Sequence, residues 1–274
     1  MSRSNPQCGV LYGDIPYACW GTGKKKMIIF AGGPGNSIPG KFVIRNFYNE
    51  YDPFTDEYTV YLVTRRKGQP QGWSTRDMSN DYAAMIQHDF GGHVEVVIGT
   101  SMGGMIAQHF AADHARLVDH IVIALAAHKV GELGKEIDTR FAQYLSQGKT
   151  RKALLVIANA LYPAGLTRFF FKCVFWLAGG ALLGPRHATY AQDVMMEARA
   201  ELAHESLDSL SRIQVPVLII CGDQDIYFPK ESYAEMAGLI KGSRLKMYAG
   251  KGHMSTMQGK AFVKDMFDFI GRGR

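Results

Sequence analysis

The sequence predicts an α/β fold built on a mostly parallel sheet, and three observations carry that prediction. Short apolar, β-branched runs recur, as in Met27-Ile28-Ile29-Phe30 and Val94-Glu95-Val96-Val97-Ile98, which suits strands buried on both faces. Helical patterns lie between them, and strand alternating with helix implies a parallel sheet with helices on both faces. The alternation fails once, over residues 129–204, where no convincing strand occurs and Leu, Phe and Ala abound.

In chain order, residues 10–20 read as a β-hairpin around the turn signal Gly13-Asp14. Further strands are expected at 27–30, 59–63, 94–98, 121–125, 217–220 and 245–248. Apolar spacing places helices at 79–88, 102–112, 229–240 and 259–270, and Pro229 suits a helix's first turn. The stretch 129–204 is expected to be a helical cap over the C-terminal edge of the sheet, where open α/β sheets bind ligands. It divides the core into residues 1–128 and 205–274.

Composition excludes several classes. With 47% hydrophobic and 20% charged residues, the chain is far from a disordered composition. The net charge of +6 is modest, and the basic residues are spread along the chain. The run Lys24-Lys25-Lys26 stands at a strand entrance, and no basic cluster interleaved with aromatics suggests nucleic-acid binding. Cys8, Cys19, Cys173 and Cys221 fit no metal spacing and no CxxC pair, so a reduced, cytoplasmic protein is expected. The N-terminus lacks the apolar stretch of a signal peptide. Residues 165–184 are the most membrane-like, but Arg168 and Lys172 interrupt them. What remains uncharged is too short to span a bilayer, although such charges also suit an interfacial helix.

Gly99-Thr100-Ser101-Met102-Gly103 is the decisive segment. A serine in a tight turn between a strand and a helix projects its hydroxyl into the cleft, and flanking glycines avoid clashes with both elements. The helix N-terminus also directs free amides toward developing negative charge. Of nine histidines, His253 stands apart, in a loop directly after the last expected strand. That is the sheet edge where Ser101 emerges. A carboxylate in the loop after residues 217–220 can orient His253, and Asp223 and Asp225 compete for the role. Asp225 is preferred because it lies further from the strand end, just before Pro229. Either aspartate would otherwise serve only to cap the helix beginning there. The loop Gly32-Gly33-Pro34-Gly35 offers backbone donors for an oxyanion, with the Gly33 and Met102 amides as the expected pair. The same region nearly matches a phosphate-binding loop. Phe42 stands where a magnesium-binding hydroxyl is required, and Pro39 removes an amide from the cradle.

These segments resemble the α/β-hydrolase superfamily, most clearly at residues 26–126 and 206–274. Residues 99–104 look like the nucleophile elbow of its serine carboxylesterases and monoacylglycerol-lipase-like members, which carry a helical cap. Residues 222–229 resemble the acid loop, with Asp225 at the matching aspartate, and Gly252-His253 resembles the histidine loop. The resemblance implies a serine hydrolase cleaving a carboxylic ester, with Ser101 as nucleophile, His253 as general base, Asp225 as its orienting acid, and no metal or cofactor. A small-molecule ester with an apolar acyl part is the expected partner. Two departures stand out. Ala31 replaces a usual histidine before the glycine loop, and Thr64-Arg65-Arg66-Lys67-Gly68 stands where relatives often have Asp-x-Arg-Gly. A C–C bond hydrolase, lactonase, thioesterase or proline-iminopeptidase-like aminopeptidase would use the same three residues. Acidic cap residues facing Ser101 would favour the last of these. A non-catalytic binding protein of this fold is the alternative from another class. Phe169-Phe170-Phe171, Phe175, Trp176 and Leu177 either pack the cap onto the core or line an apolar acyl pocket.

Overall fold

The computed structural model describes residues 5–33, 35–162, 165–182 and 187–271. Eight strands form one sheet: β1 (Gln7–Leu11), β2 (Ile15–Trp20), β3 (Lys25–Phe30), β4 (Tyr58–Val63), β5 (Val94–Thr100), β6 (Val118–Ala124), β7 (Val217–Gly222) and β8 (Arg244–Tyr248). Their spatial order is β1-β2-β4-β3-β5-β6-β7-β8. The hairpin strand β2 runs antiparallel to β1 and β4, and every pairing from β4 through β3 to β8 is parallel.

Alternate residues of the central strands enter two separate cores, which is why their sequences read as continuous apolar runs. Ile28, Phe30, Val97, Ile121 and Ile219 face one core, with Met78 and Tyr82 of α2 (Thr75–Asp89) and Ile106 and Phe110 of α3 (Met102–Asp113). Met27, Ile29, Ile98, Val122 and Ile220 face the other, against Phe262, Met266 and Phe269 of α10 (Lys260–Ile270).

Helix boundaries depart from expectation where capping intervenes. Helix α2 begins at Thr75 because Ser74 and Asp77 form a reciprocal capping box. Pro229 is the N-cap of α9 (Lys230–Leu239) and lies outside the helix. A helix not anticipated, α1 (Lys41–Phe47), occupies the end of the near-match to a phosphate loop.

Between β6 and β7 the chain forms α4 (Glu132–Ser146), α5 (Thr150–Leu161), α6 (Leu166–Leu182), α7 (Tyr190–Leu202) and the one-turn α8 (Leu207–Leu210). The aromatic residues of α6 divide. Phe171 stacks on Tyr162 at 3.7 Å between centroids, and Phe175 meets the same ring edge-on. Phe169, Phe170, Trp176 and Leu177 are exposed and pack against no core. Among the described residues no helix is long and apolar enough to cross a membrane.

Candidate active site

Ser101 sits at the sharp turn from β5 into α3 with φ 51° and ψ −121°. That conformation is rare for a residue with a Cβ and costs roughly 1–3 kcal/mol, so its surroundings must hold it. Three hydrogen bonds do so. Ser101 N–H donates to Ala124 O at 2.9 Å, and the amides of Gly104 and Met105 close the helix onto Ser101 O. The flanking glycines are required by contact. A Cβ at Gly103 would lie 1.9 Å from Phe30 O, and one at Gly99 would lie 2.4 Å from Gly103 O.

The structure brings the three expected side chains into one hydrogen-bonded chain. His253 Nε2 lies 3.0 Å from Ser101 Oγ, and His253 Nδ1 lies 2.9 Å from Asp225 Oδ2 and 3.1 Å from Oδ1. Asp225 is itself fixed. Its Oδ1 accepts from Tyr227 N–H at 2.9 Å, and its Oδ2 accepts from the Tyr233 hydroxyl at 2.9 Å. The competing Asp223 does something else: its Oδ1 accepts from Gly250 N–H at 2.7 Å, tying down the loop that carries His253. Tyr227 and Phe228 lay their rings beside the imidazole, at 4.9 and 6.1 Å between centroids.

The glycine loop lies against the serine. A Cβ at Gly32 would stand 3.3 Å from Ser101 Cβ, and Met102 is wholly buried as the first residue of α3. Met102 thus follows Ser101 on the helix side, and Gly33 follows Gly32 on the loop side.

What holds that loop is an ion pair the sequence did not reveal. Arg65, in the departure after β4, donates from Nη1 to Ala31 O at 2.7 Å and to Gly32 O at 3.1 Å, and from Nη2 to Gly35 O. Its Nη2 also pairs with Glu197 Oε2 of α7 at 2.9 Å, with both side chains fully buried. A Cβ at Gly33 would lie 2.5 Å from that Nη2, so the guanidinium occupies the space beside the loop. Glu197 accepts in addition from Gly35 N–H and from Gln69 Nε2. One turn earlier, Asp193 accepts from the amides of Gly68 and Gln69 and from Asn36 Nδ2. Asp193, Glu197 and Glu201 are spaced at i, i+4 and i+8, one stripe of α7. That spacing, after a stretch from 139 to 192 without any Asp or Glu, is the signal by which the clamp could have been found.

Two further buried acids come from α4 and α7, Asp138 close to His253 and Glu201 close to Asp138 and within the field of Arg65. Asp138 of α4 hydrogen bonds with Tyr227, and burial raises its pKa while the proximity of His253 lowers it. Burial likewise raises Glu201, and the charge of Asp138 raises it further. Asp138 Oδ2 and Glu201 Oε2 are buried with no hydrogen-bond partner among the described residues. No group of three His, Cys, Asp or Glu forms a metal site among those residues.

This sheet order, with a serine turn after β5, an acid after β7 and a histidine after β8, defines a class. The alpha/beta hydrolase family matches residues 28–265, and the chain belongs to that family. Among curated proteins it is 26% identical over 216 residues to a probable acyltransferase of Methanothermobacter thermautotrophicus, covering 71% of this chain and 66% of that one. It is 25% identical to the 2-hydroxy-6-oxononadienedioate/2-hydroxy-6-oxononatrienedioate hydrolase of a Pseudomonas species, covering 96% and 94% of the two chains. Among solved structures, the enol-lactonase of Burkholderia xenovorans superposes with a TM-score of 0.77 at 17% identity, over 97% and 100% of the two chains.

Proposed function

We propose that the chain hydrolyses a carboxylic ester through an acyl-enzyme intermediate. Ser101 Oγ attacks the ester carbonyl while His253 Nε2 takes its proton. Asp225 holds the Nδ1 hydrogen, fixes the tautomer and stabilises the imidazolium. Negative charge on the carbonyl oxygen rests on the Gly33 and Met102 amides, each worth about 3 kcal/mol in the transition state. Collapse expels the alcohol, which leaves with the proton from His253. Water then loses a proton to His253 and attacks the acyl carbon, releasing the acid and restoring Ser101. The observation that carries this reading is the unbroken chain from Ser101 Oγ through His253 to Asp225, at 3.0 and 2.9 Å. In this reading residues 129–204 form the cap that encloses the substrate, with α7 as its anchor.

The test compares wild type with Ser101→Ala on p-nitrophenyl acetate, butyrate, octanoate and palmitate, beside labelling with a fluorophosphonate. Hydrolysis and labelling should both vanish in the variant. A folded wild type that neither labels nor cleaves would remove the catalytic reading and favour a binding protein of this fold.

One observation favours a second reading, hydrolysis of an ester or amide that carries a protonated amine. Asp138 and Glu201 are buried acids contributed by α4 and α7, each with a carboxylate oxygen unpartnered among the described residues. A buried carboxyl oxygen left without a hydrogen-bond partner is costly to keep, and a substrate ammonium donating to it would offset that cost. Alanine p-nitroanilide separates the readings: cleavage in wild type and a raised KM in Glu201→Gln would favour the amine substrate.

A further inference from the structure

Helix α6 carries two apolar faces, and only one is covered. Phe171 and Phe175 turn inward onto Tyr162, which is buried. On the opposite side, Leu166, Phe169, Phe170 and Leu177 are 87%, 67%, 60% and 81% exposed. Their spacing of i, i+3, i+4 and i+11 places all four along one stripe of the helix. Trp176 borders the stripe, 46% exposed, with the Arg151 guanidinium over its ring at 5.2 Å. Large apolar side chains gathered in one patch, rather than scattered singly, mark an interaction surface.

Charge identifies the partner. Basic residues are spread over the whole chain, but acidic ones are not. Between Asp138 and Asp193 there is no Asp or Glu at all, while seven Lys and Arg fall in the same stretch. That local excess is larger than the +6 of the entire protein, so the remainder of the chain is close to neutral. Lys172 lies on α6 one turn before Trp176, and the exposed Arg151 and Lys152 lie at the start of the adjoining α5, while Arg168 turns to the covered side and donates to Tyr162 O. An apolar stripe bordered by tryptophan and by cations without competing acids has the composition of a helix lying in a membrane interface. Anionic headgroups complement it, whereas an acid-free surface of one sign repels a second copy of itself.

We propose that the exposed face of α6, with the basic start of α5, docks the protein on an anionic lipid surface. The helix lies in the interface and does not cross the bilayer. This surface is distinct from the Ser101 site, and its test is independent of the ester reading.

The protein is sedimented with phosphatidylcholine vesicles, with and without 30% phosphatidylserine, and its oligomeric state is measured by sedimentation velocity without lipid. Wild type should partition onto the anionic vesicles at least tenfold better than onto the neutral ones, and should lose that preference in 0.5 M salt. The double variant Phe169→Glu, Leu177→Glu should reduce partitioning at least tenfold with an unchanged melting temperature. The charge variant Arg151→Glu, Lys152→Glu should weaken anionic binding and leave any weak neutral-vesicle binding in place. Failure of wild type to bind anionic vesicles overturns the proposal, as does equal binding by the double variant. A lipid-free dimer that becomes a monomer in the double variant also overturns it, because a second copy would then cover the face.

Discussion

The two sides of the serine are held by opposite means. On the histidine side, the groups come from the loops after β7 and β8 and from the adjoining α9: Asp225 hydrogen bonds with His253, Tyr233 and the Tyr227 amide hold Asp225, and Asp223 ties down the Gly250 amide. On the glycine-loop side, the loop is held by Arg65, whose charge is balanced by Glu197 from a helix 132 residues further along the chain. The first arrangement is local and made within the core. The second makes the glycine loop and helix α7 one mechanical unit, so that loss of α7 docking is loss of the loop's support. Ala31, where relatives usually carry a histidine, is consistent with that division: the Arg65 guanidinium holds the Ala31 and Gly32 carbonyls instead.

The comparison is broken most severely by Asp225→Asn. It should lower kcat by about 10⁴ through the wrong imidazole tautomer, while the melting temperature stays near wild type. Steady-state kinetics and calorimetry on the same preparation check both halves. Arg65→Met should do the reverse, with stability falling first. It leaves Glu197 buried without its cation, a loss of about 3–5 kcal/mol and roughly 10 °C in melting temperature. Arg65→Lys should rescue little, since one ammonium cannot reach three carbonyls and a carboxylate.

A third experiment sharpens the contrast through pH. Burial lowers the His109 pKa to about 4. Below its ordinary value the unfolded chain takes up a proton that the folded one refuses. His109 therefore withdraws stability as pH falls from about 6.5 to about 4, by at most about 3 kcal/mol. Glu201 acts in the opposite sense. Its raised pKa means that its contribution is fully present below about 4.5 and is lost as pH rises above that. Melting temperature against pH should thus flatten on the acid side in His109→Asn and rise on the alkaline side in Glu201→Gln. A variant whose curve merely shifts in parallel would show that the residue does not titrate differently on folding. The smallest effect is expected from Asp223→Ala, which removes one hydrogen bond to the histidine loop. It should cost about 1 kcal/mol, seen as a kcat loss of no more than about tenfold. A loss as large as that of Asp225→Asn would reverse the roles assigned to the two aspartates.

Much of this was legible in the sequence. The central strands were readable because they are buried on both sides, and burial on both sides writes itself as an unbroken apolar run. The start of α2 was misplaced because its Ser74–Asp77 capping box, not periodicity, decides where it begins. Asp225 could be preferred over Asp223 by its place in the loop. The separate role of Asp223, holding Gly250, needed the fold.

The sequence by itself determined the sheet, the turn that carries Ser101 and the loop that carries His253. Each of these depends on a short segment whose residue types constrain its own backbone. Only the tertiary structure decided the Arg65–Glu197 clamp, the buried acids Asp138 and Glu201, and which face of α6 is left open to water. Those features depend on which distant surfaces meet, and a buried charge is tolerable only beside the particular partner that the fold delivers to it.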